Sequence, residues 1–447
     1  MDNGLFREDE AVLLILVILG LLILMYILYA PLAELLFKLL HIGTLYKGPS
    51  TLRNIALTFD DGPDPRYTPQ VLQILREHGA RATFFLVGKR AEAHPDLVQA
   101  ILEDGHELAS HGDAHRHAWL LDPISTWLDV ARGKRRLEQI AGRTIAYYRP
   151  PWGAFNWVTR LACNVLHLKP TLWSLRAIDW LPGEYADEVV QRVVGGAHTG
   201  AIVLCHDAGG ADKAPLNTIA ALPVILEQLA QRGYSFTTVG EMERALHEQS
   251  ETMKSLYSRY PLLRRWLIVL WRIVEFGFTK LYHIESVNRI FRIAPTTWRF
   301  GTRTNDEGEV VVTNGTKALD LHFQNDTLIT FSSADDHRAL IRGLRMAKEG
   351  FQDIAKLLQY DPNYQDVQVA VAITLMNRGI EMLGFHVEDL PETRTKKRLQ
   401  RYMRFLMGMY HPEGFSRLKQ GRQALEVKLV WMTRDEIVKL YGSERRR

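Results

Sequence analysis

Hydrophobic side chains are distributed along the chain in three patterns, and the first is an unbroken apolar run near the N-terminus. Residues 11–30 read AVLLILVILGLLILMYILYA, twenty positions without a charged side chain. A helix rises about 1.5 Å per residue, so this run matches a hydrocarbon core of roughly 30 Å. The pattern predicts a transmembrane anchor over residues 11–30, behind an N-terminal tail of residues 1–10. A cleaved signal peptide is the alternative, but signal peptides begin with basic residues, whereas Glu8, Asp9 and Glu10 precede this run.

In the second pattern, short strand-like runs alternate with helical stretches. The runs are IALTF, ATFFLV, HELAS, IAYYR, TLWSL, AIVLC and SFTTV. Such alternation implies parallel strands joined by right-handed crossovers. This number of units predicts an α/β fold over residues 51–247, in the form of a small or distorted (β/α) barrel. Residues 31–50 precede it and contain the apolar run LAELLFKLLHIG, which is compatible with a linker or with an interfacial helix.

The third pattern begins near residue 248 and predicts a separate α+β domain over residues 248–447. It opens with LLRRWLIVLWRIVEFGFTKLYHI, a strongly apolar helix, and continues with strand-like runs such as EVVVT, LDLHF and TLITF. The helix carries charged side chains at Arg264, Arg265, Arg272, Glu275 and Lys280, so it is a poor membrane span. A core helix is the favoured interpretation, and an interfacial helix is the alternative.

The formal net charge of +4 is divided unevenly along the chain. Residues 246–447 contain 32 Lys and Arg against 24 Asp and Glu, so this part is positive and the remainder is negative. The excess either solvates the surface, which is the simpler interpretation, or meets anionic lipid head groups or wall polymers. We expect no nucleic-acid partner. The two cysteines, Cys163 and Cys205, are too few for a disulfide framework.

Chemically capable residues follow the ends of the predicted strands, where (β/α) barrels carry their active sites. They are Asp60 and Asp61 after the first run, His111 and His115 after the third, Arg149 at the end of the fourth, Asp179 just past the fifth and His206 at the end of the sixth. The two histidines of HGDAH are four residues apart, so on a helical turn they face the same side and reach one metal ion. With a carboxylate they form a two-histidine, one-carboxylate set that leaves open positions for water and substrate.

Five short motifs in this order resemble those of the polysaccharide deacetylase family, the carbohydrate esterases of the NodB-homology type. They are TFDDGP (58–63), HGDAH (111–115), RPPWG (149–153), DW (179–180) and LCH (204–206). The resemblance covers residues 51–245, which is under half of the chain. It implies a distorted barrel whose active site holds one divalent metal ion, zinc in the first place, with cobalt or nickel as alternatives.

The resemblance also implies roles for individual residues. The metal ligands would be Asp61, His111 and His115. Asp60 would be the general base, oriented by Arg149, and His206 would be the general acid, tuned by Asp179. Reasoning from the chemistry agrees, because amide hydrolysis needs an activated water, stabilisation of an oxyanion and a proton for the departing amine.

Three further residues would form the substrate-binding part of the site. Trp152 stands where the family often has Tyr, a position whose backbone N–H helps to stabilise the oxyanion. Leu204 would line the pocket for the acetyl methyl group, and Trp180 would lie beside it. Gly112 and Arg176 depart from the commonest family pattern, which has Ser or Thr and an acidic residue at these positions. These departures affect the expected substrate preference more than the expected activity.

The expected function is metal-dependent removal of N-acetyl groups from the amino sugars of a cell-surface polysaccharide, either peptidoglycan or a chitin-like oligomer. The alternatives are hydrolysis of O-acetyl esters or non-carbohydrate amides and, in another class, a glycan-binding pseudoenzyme. In the C-terminal part, HIESVNRIFRI and LDLHFQND resemble a bacterial domain called YkoP-like, which occurs fused to such deacetylases. That resemblance implies no role for the domain, and the sequence does not indicate an oligomeric state.

The membrane orientation follows from two arguments that disagree. One basic residue, Arg7, precedes the apolar run, and Lys38, Lys47 and Arg53 follow it. The positive-inside rule applied to these residues puts the C-terminal bulk in the cytoplasm. The implied substrate lies outside the membrane, and we give it more weight than a difference of two charges. We therefore expect a single-pass protein of the cell membrane with its catalytic domain on the extracellular side.

Overall fold

The computed structural model describes residues 8–182, 185–258, 260–305, 307–325, 337–375, 379–410 and 426–442. The chain divides into two compact units. The first comprises Met1–Gly48, Ile55–Glu227 and Phe236–Glu243, and the second comprises Pro49–Asn54, Gln228–Ser235 and Arg244–Arg447.

The first unit begins with a long apolar helix. Helix α1 (Glu8–Tyr29) covers most of the predicted anchor, and its apolar side chains from Val12 to Leu28 are exposed. The stretch Val12–Leu39 is long and apolar enough to cross a membrane, judged by length and composition. A short helix α2 (Pro31–Glu34) and a π-helical turn (Leu35–Leu39) follow.

The C-terminal end of α1 is joined to the first unit by hydrogen bonds. The indole Nε1 of Trp157 donates to the carbonyl oxygen of Leu28 at 2.7 Å. The hydroxyl of the next residue, Tyr29, donates to the carbonyl oxygen of Leu121 at 3.2 Å. The helix end is therefore packed on the body of the unit.

The residues between α2 and the first strand also belong to the folded unit. Phe37 is buried in an apolar cluster of the first unit, and two isolated β-bridges pair Leu45 with Thr171 and Lys47 with Ala201. This segment therefore forms part of the packed structure.

Eight short strands form one sheet in the first unit. They are β1 (Asn54–Asp60), β2 (Ala82–Leu86), β3 (Glu107–Ser110), β4 (Tyr147–Tyr148), β5 (Lys169–Pro170), β6 (Leu175–Arg176), β7 (Ala201–His206) and β8 (Ser235–Phe236). Their order is β5-β4-β3-β2-β1-β7-β6, and β8 also pairs with β1. The pairings along this order are parallel. The sheet is open between β5 and β6, so the expected distorted α/β barrel is confirmed in the form of a half-barrel.

Amphipathic helices cover the sheet. They are α3 (Thr68–Glu77), α4 (Gly88–Ala93), α5 (Pro95–Glu103), α6 (Pro123–Ala141), α7 (Trp157–Val165), α8 (Ala186–Gly195) and α9 (Pro215–Gln231), and α10 (Val239–Ser258) begins here and ends in the second unit. Their bounds follow local capping. Helix α6, for example, starts where the Asp122 carboxylate accepts the N–H groups of Ile124 and Ser125, and it ends at left-handed Gly142.

One predicted strand differs from the structure. The run TLWSL was expected to form a single strand, but only its last residue, Leu175, is in a strand, β6, and its other residues connect β5 to β6 at opposite ends of the sheet. Part of the reason is the buried guanidinium of Arg149, which donates to the carbonyl oxygens of Thr171 at 3.3 Å and Leu172 at 3.1 Å. These two carbonyl groups therefore bind a side chain.

The second unit is built on a six-stranded mixed sheet, which confirms the expected α+β fold. Its strands are β9 (Glu285–Ser286), β10 (Phe291–Thr297), β13 (Lys317–Phe323), β14 (Val369–Thr374), β15 (His386–Asp389) and β16 (Lys428–Thr433), and a separate hairpin is formed by β11 (Arg303–Thr304) and β12 (Val310–Val312). The order in the sheet is β15-β16-β14-β13-β10-β9. The predicted strand TLITF lies outside the described residues.

Four further helices complete the second unit. They are α11 (Leu262–Leu281), α12 (His337–Tyr360), α13 (Arg394–Tyr410) and α14 (Arg434–Tyr441). Helices α12 and α14 contribute Phe351, Ile354 and Ile437 to the main apolar core, where they pack with strand residues such as Ile293 and Leu319.

The interpretation of α11 as a core helix was wrong. Ile268 is the buried residue of this helix, and most of its other apolar side chains are exposed. The charged residues Arg264 and Glu275 instead make contacts inside the unit. A helical hydrophobic period identifies an apolar stripe, but it does not determine whether that stripe faces a core or the surroundings.

Candidate active site and metal centre

Three side chains from two strand ends converge on one point. Asp61 follows β1, and His111 and His115 follow β3, its neighbour but one in the sheet. The Oδ1 atom of Asp61 lies 3.3 Å from Nε2 of His111 and 2.9 Å from Nε2 of His115. These donor atoms all lie within 4.8 Å of one another. The structure therefore brings the predicted metal triad together.

The donor set fits a divalent ion. In a tetrahedral site with bonds of about 2.0–2.1 Å, neighbouring donor atoms are roughly 3.3 Å apart, close to the spacing seen here. The buried Oδ1 of Asp61 has no hydrogen-bond partner within the described part of the chain. Nδ1 of His111 lies 2.7 Å from the carbonyl oxygen of Arg149. A proton on Nδ1 would donate to this carbonyl, which leaves the Nε2 lone pair free for a metal.

Electrostatics keep Asp61 ionised. Burial alone would raise the pKa of this carboxyl group, but the adjacent imidazoles of His111 and His115 hold its pKa well below the usual range. Metal binding requires a deprotonated carboxylate, so the site is already in a suitable charge state.

Asp60 lies beside the triad in a buried ion pair. Its Oδ1 is 2.6 Å from Nη1 of Arg149, and its Oδ2 is 3.8 Å from Nε2 of His111. Arg149 is fully buried and also donates to Oγ1 of Thr58 at 2.8 Å. Thr58 in turn donates to the carbonyl oxygen of Val203 at 2.6 Å. The carboxylate of Asp60 is thus held in one orientation next to the proposed ion.

His206 lies at the end of β7, next to β1, and forms a second pair with Asp179. Nδ1 of His206 is 2.8 Å from Oδ1 of Asp179, and the backbone N–H of His206 donates to Oδ2 at 2.7 Å. The hydroxyl of Thr218 donates to the same Oδ2. Burial disfavours the imidazolium, but Asp179 outweighs it and raises the pKa of His206 to about 9. This imidazole is therefore a proton donor at neutral pH.

Backbone strain is concentrated around these residues. Asp61, His115 and Trp152 have φ values of 73°, 50° and 57°, and Ile178, immediately before Asp179, has 58°. Aspartate and histidine tolerate left-handed backbone better than most residues, but for bulky Trp152 and β-branched Ile178 it persists only where the surroundings over-determine it. The turns that carry Trp152 and Asp179 are thus held in place by the fold.

The three residues expected to contact the substrate differ in how accessible they are to a ligand. Trp152 is 54% exposed, and its ring centroid lies 4.3 Å from that of His115. Trp180 meets the ring of His206 edge-on at 5.2 Å. Leu204 is buried, so of the three it is the least accessible to a ligand.

The segment after α1 reaches the same region. Nζ of Lys38 pairs with Glu34 at 2.9 Å and donates to the carbonyl oxygen of Trp152 at 3.2 Å. A side chain on Gly153, which has a φ of 65°, would meet Cε of Lys38 at 3.3 Å. The turn that carries Trp152 is therefore supported by residues close to the predicted anchor.

Some residues that shape the site were not predicted. Thr58 lies within the TFDDGP motif, so its position on β1 before the two aspartates was a usable signal. Thr218 lies on helix α9 and does not follow a strand directly in the sequence, and no sequence signal marks it. Asp207 directly follows LCH, is fully buried and accepts a hydrogen bond from Thr68 at 2.5 Å. Burial raises the pKa of Asp207 to about 7.

Asp207 supports the turn after β1. A Cβ atom on Gly62 would lie 2.5 Å from the Asp207 carboxylate oxygens, so this turn and Asp207 approach each other closely. Gly112, the departure noted in HGDAH, has a φ of 79° and a Cβ there would meet Oδ2 of Asp129 at 2.5 Å. A serine at residue 112 would therefore clash with this neighbour, which explains why glycine is suitable here.

Two family models match the chain. The polysaccharide deacetylase model matches residues 47–170, and the YkoP domain model matches residues 264–441. The first match contains the metal triad, Asp60 and Arg149, and the second lies within the second unit.

Individual relatives match the first unit. A peptidoglycan-N-acetylglucosamine deacetylase of Bacillus cereus is 40% identical over 202 residues, which are 44% of this chain and 92% of that protein. A chitooligosaccharide deacetylase of Azorhizobium caulinodans is 31% identical over 191 residues, 41% of this chain and 90% of that protein. The solved structure of a family 4 carbohydrate esterase from Streptomyces lividans, in complex with acetate, is 32% identical, with a TM-score of 0.38, covering 41% of this chain and 91% of that one. The family model and the identity to the Bacillus cereus protein show that the chain belongs to the polysaccharide deacetylase family.

Proposed function

We propose that this protein removes N-acetyl groups from the amino sugars of a cell-surface polysaccharide, either peptidoglycan or a chitin-like oligomer. The observation that carries the proposal is the grouping of a candidate base, Asp60, and an imidazole paired with Asp179, that of His206, beside one candidate metal triad. The names of the relatives support the substrate class, since they are deacetylases of peptidoglycan and chitooligosaccharides.

Asp61, His111 and His115 would hold the divalent ion, with zinc as the first candidate and cobalt or nickel as alternatives. When bound, such an ion supplies a Lewis acid that acidifies water and polarises the acetyl carbonyl. Asp60 accepts the proton of the attacking water, and its ion pair with Arg149 at 2.6 Å holds the carboxylate in position for this role.

The remaining steps use His206 and the turn at Trp152. The departing amine needs a proton, and His206 supplies it because Asp179 keeps the imidazole protonated near neutral pH. The backbone N–H of Trp152 would donate to the oxyanion, and the exposed indole ring would contact a sugar ring. The acetyl methyl group would face Leu204.

Replacing Asp60 with Asn tests this assignment. We expect acetate release from an N-acetylglucosamine oligomer to fall by about 10²–10⁴-fold, since this is the usual contribution of a general base. Binding of Zn²⁺, measured by calorimetry, should persist because Asp60 is not one of the three ligands. Unchanged acetate release by this variant would refute the mechanism.

The same assay separates the alternative substrates and the alternative class. Release of acetate from N-acetylated but not from O-acetylated glycans supports amide hydrolysis, and the reverse supports an esterase. A protein that binds the glycan and releases no acetate with any divalent metal would be a glycan-binding pseudoenzyme.

We also propose that α1 anchors the protein in the cell membrane with the catalytic unit outside. The support is the apolar helix and the location of the proposed substrate. Protease added to intact cells should digest the catalytic unit. Full protection of this unit, with digestion after lysis, would contradict the proposed orientation.

A further inference from the structure

Helix α11 turns its apolar side chains outward. Leu262, Leu263, Trp266, Leu270, Ile273 and Leu281, here called the apolar ridge, are between 57 and 74% exposed. They recur with helical spacing, so they form one line along the helix, and Gly277 occupies the remaining position on it. From Leu262 to Gly277 no charged residue interrupts this line, and Lys280 lies on the same side of the helix at its C-terminal end. A contiguous exposed apolar surface of this kind marks an interaction site in most proteins.

Polar contacts inside the second unit hold the helix in this orientation. Nε of Arg264 donates to the carbonyl oxygen of Met409 at 2.7 Å. Nearly two turns before the C-terminal end of the helix, Glu275 pairs with Arg292 at 2.5 Å. Both residues lie on the same side as the buried Ile268. The outward position of the ridge is therefore supported by specific contacts on the opposite face.

A strongly basic helix packs against α11. Helix α13 carries Met409, and the ring of its Tyr402 lies 5.7 Å from the ring of Trp271 on α11. Its 17 residues include no acidic side chain. Its exposed cations are Arg394, Lys397, Arg398 and Arg401. The second unit thus presents an apolar line and a cluster of cations on neighbouring helices.

We propose that the apolar ridge inserts into the interfacial layer of an anionic lipid bilayer, while the cations of α13 meet the lipid head groups. An amphipathic helix with Trp and Leu on one side and basic residues nearby is the usual form of such a contact. The same chain carries α1, which is long and apolar enough to cross a membrane, so a bilayer would be available at high effective concentration.

A second copy of the chain is a less suitable occupant. Two copies related by a twofold axis would place the same patch on both sides of the contact. The cations of α13 would then adjoin each other, and like charges at an interface are unfavourable. An anionic surface has the opposite charge and therefore complements this patch.

The test uses the full chain with a dye on the ridge. Cys163 and Cys205 are buried, so a dye should label only an introduced cysteine. Leu270→Cys places an environment-sensitive dye on the ridge, and Val310→Cys places it at a comparably exposed apolar position on the β11–β12 hairpin. Both variants are reconstituted in vesicles of phosphatidylcholine, with or without phosphatidylglycerol, that contain a lipid-bound quencher.

We expect the dye at residue 270 to shift to the blue and to lose most of its emission to the quencher, more strongly with phosphatidylglycerol. The dye at residue 310 should change little. Adding Ile273→Asp to the residue 270 probe should restore its emission, while acetate release from a soluble oligomer stays unchanged as a control for folding. Equal quenching at residues 270 and 310 would overturn the proposal. The proposal would also be overturned if the dye at residue 270 shifted to the blue in detergent, without lipid, and two copies of the chain could be cross-linked under the same conditions.

Discussion

Among the described residues of the first unit, the most deeply buried ion pair joins Arg149 to Asp60 at a strand end. In the second unit, an ion pair joins Arg292 of strand β10 to Glu275 of helix α11. The first pair stands beside the metal triad and among residues with left-handed backbone. The second pair lies on the inner side of α11, whose apolar ridge faces outward. An ion pair thus orients a reactive group in one unit and a surface helix in the other.

The contrast extends to titratable clusters. Asp61, His111 and His115 form the one group of at least three potential ligands found among the described residues. The second unit has histidines, including His386, but that imidazole pairs with Glu436 at its surface and stacks on Trp431. The two units therefore differ in chemical capacity.

The largest effect is expected from loss of the metal site. His115→Ala, or removal of the ion with a chelator, should lower acetate release by about 10³-fold or more, since the ion supplies several kcal/mol of charge stabilisation. Adding Zn²⁺, Co²⁺ or Ni²⁺ should restore the chelated wild type. His386→Ala in the second unit is the matched control and should retain activity. Full activity in the presence of chelator would contradict the proposed centre.

Breaking the buried ion pair should have the next largest effect. Arg149→Met leaves Asp60 as an unpaired buried charge, which should lower the free energy of unfolding by about 3–5 kcal/mol. The control is Arg303→Met, which breaks a more exposed pair with Glu388 in the second unit and should cost about 1 kcal/mol or less. Urea unfolding measures both. Equal losses of unfolding free energy in the two variants would show that the buried pair contributes no more to stability than the more exposed pair.

Replacing Asp179, the hydrogen-bonding partner of His206, should have a smaller effect on the rate. The wild-type rate should fall as the pH rises through about 9, because His206 must be protonated to donate. Asp179→Asn removes the group that raises this pKa and leaves the burial that lowers it, so the alkaline limb should move to lower pH. At a pH one unit above the new pKa, the protonated fraction and the rate fall about tenfold. A pH–rate profile with an unmoved alkaline limb would exclude His206 as the acid.

The smallest effect on stability is expected from a substitution in the apolar ridge. Ile273→Ala removes a side chain that is 66% exposed, so the free energy of unfolding in detergent should change by less than about 0.5 kcal/mol. Ile354→Ala in the core of the same unit is the matched control and should cost about 2–5 kcal/mol. A comparable loss at Ile273 would mean that the ridge is a packed surface.

The sequence predicted the parts of the site that depend on strand ends and short spacings. The metal triad follows from a carboxylate after one strand and two histidines four residues apart. Asp60 and Arg149 lie at strand ends that parallel topology brings together. These features are local or follow from the sheet order, so they are readable without the structure.

Other parts required the three-dimensional packing. Thr218 reaches Asp179 from a helix 39 residues further along the chain, and no period or motif marks it. The run TLWSL looked like one strand because it is apolar, yet two of its carbonyl groups bind Arg149. For α11, the sequence predicts the helix but not the direction of its apolar side chains, since that direction depends on the partners that Arg264 and Glu275 find inside the unit.

The hydrogen bonds from Trp157 to Leu28 and from Tyr29 to Leu121 attach the end of α1 directly to the catalytic barrel, without a flexible segment between them. A barrel of some 200 residues has a radius of gyration of about 16 Å. For a chain anchored by α1, the reactive centre therefore cannot travel outward on a tether and stays within one domain width of the lipid surface. The proposed deacetylation would therefore take place on the glycan layer next to the membrane, because glycan in more distant layers would be out of reach.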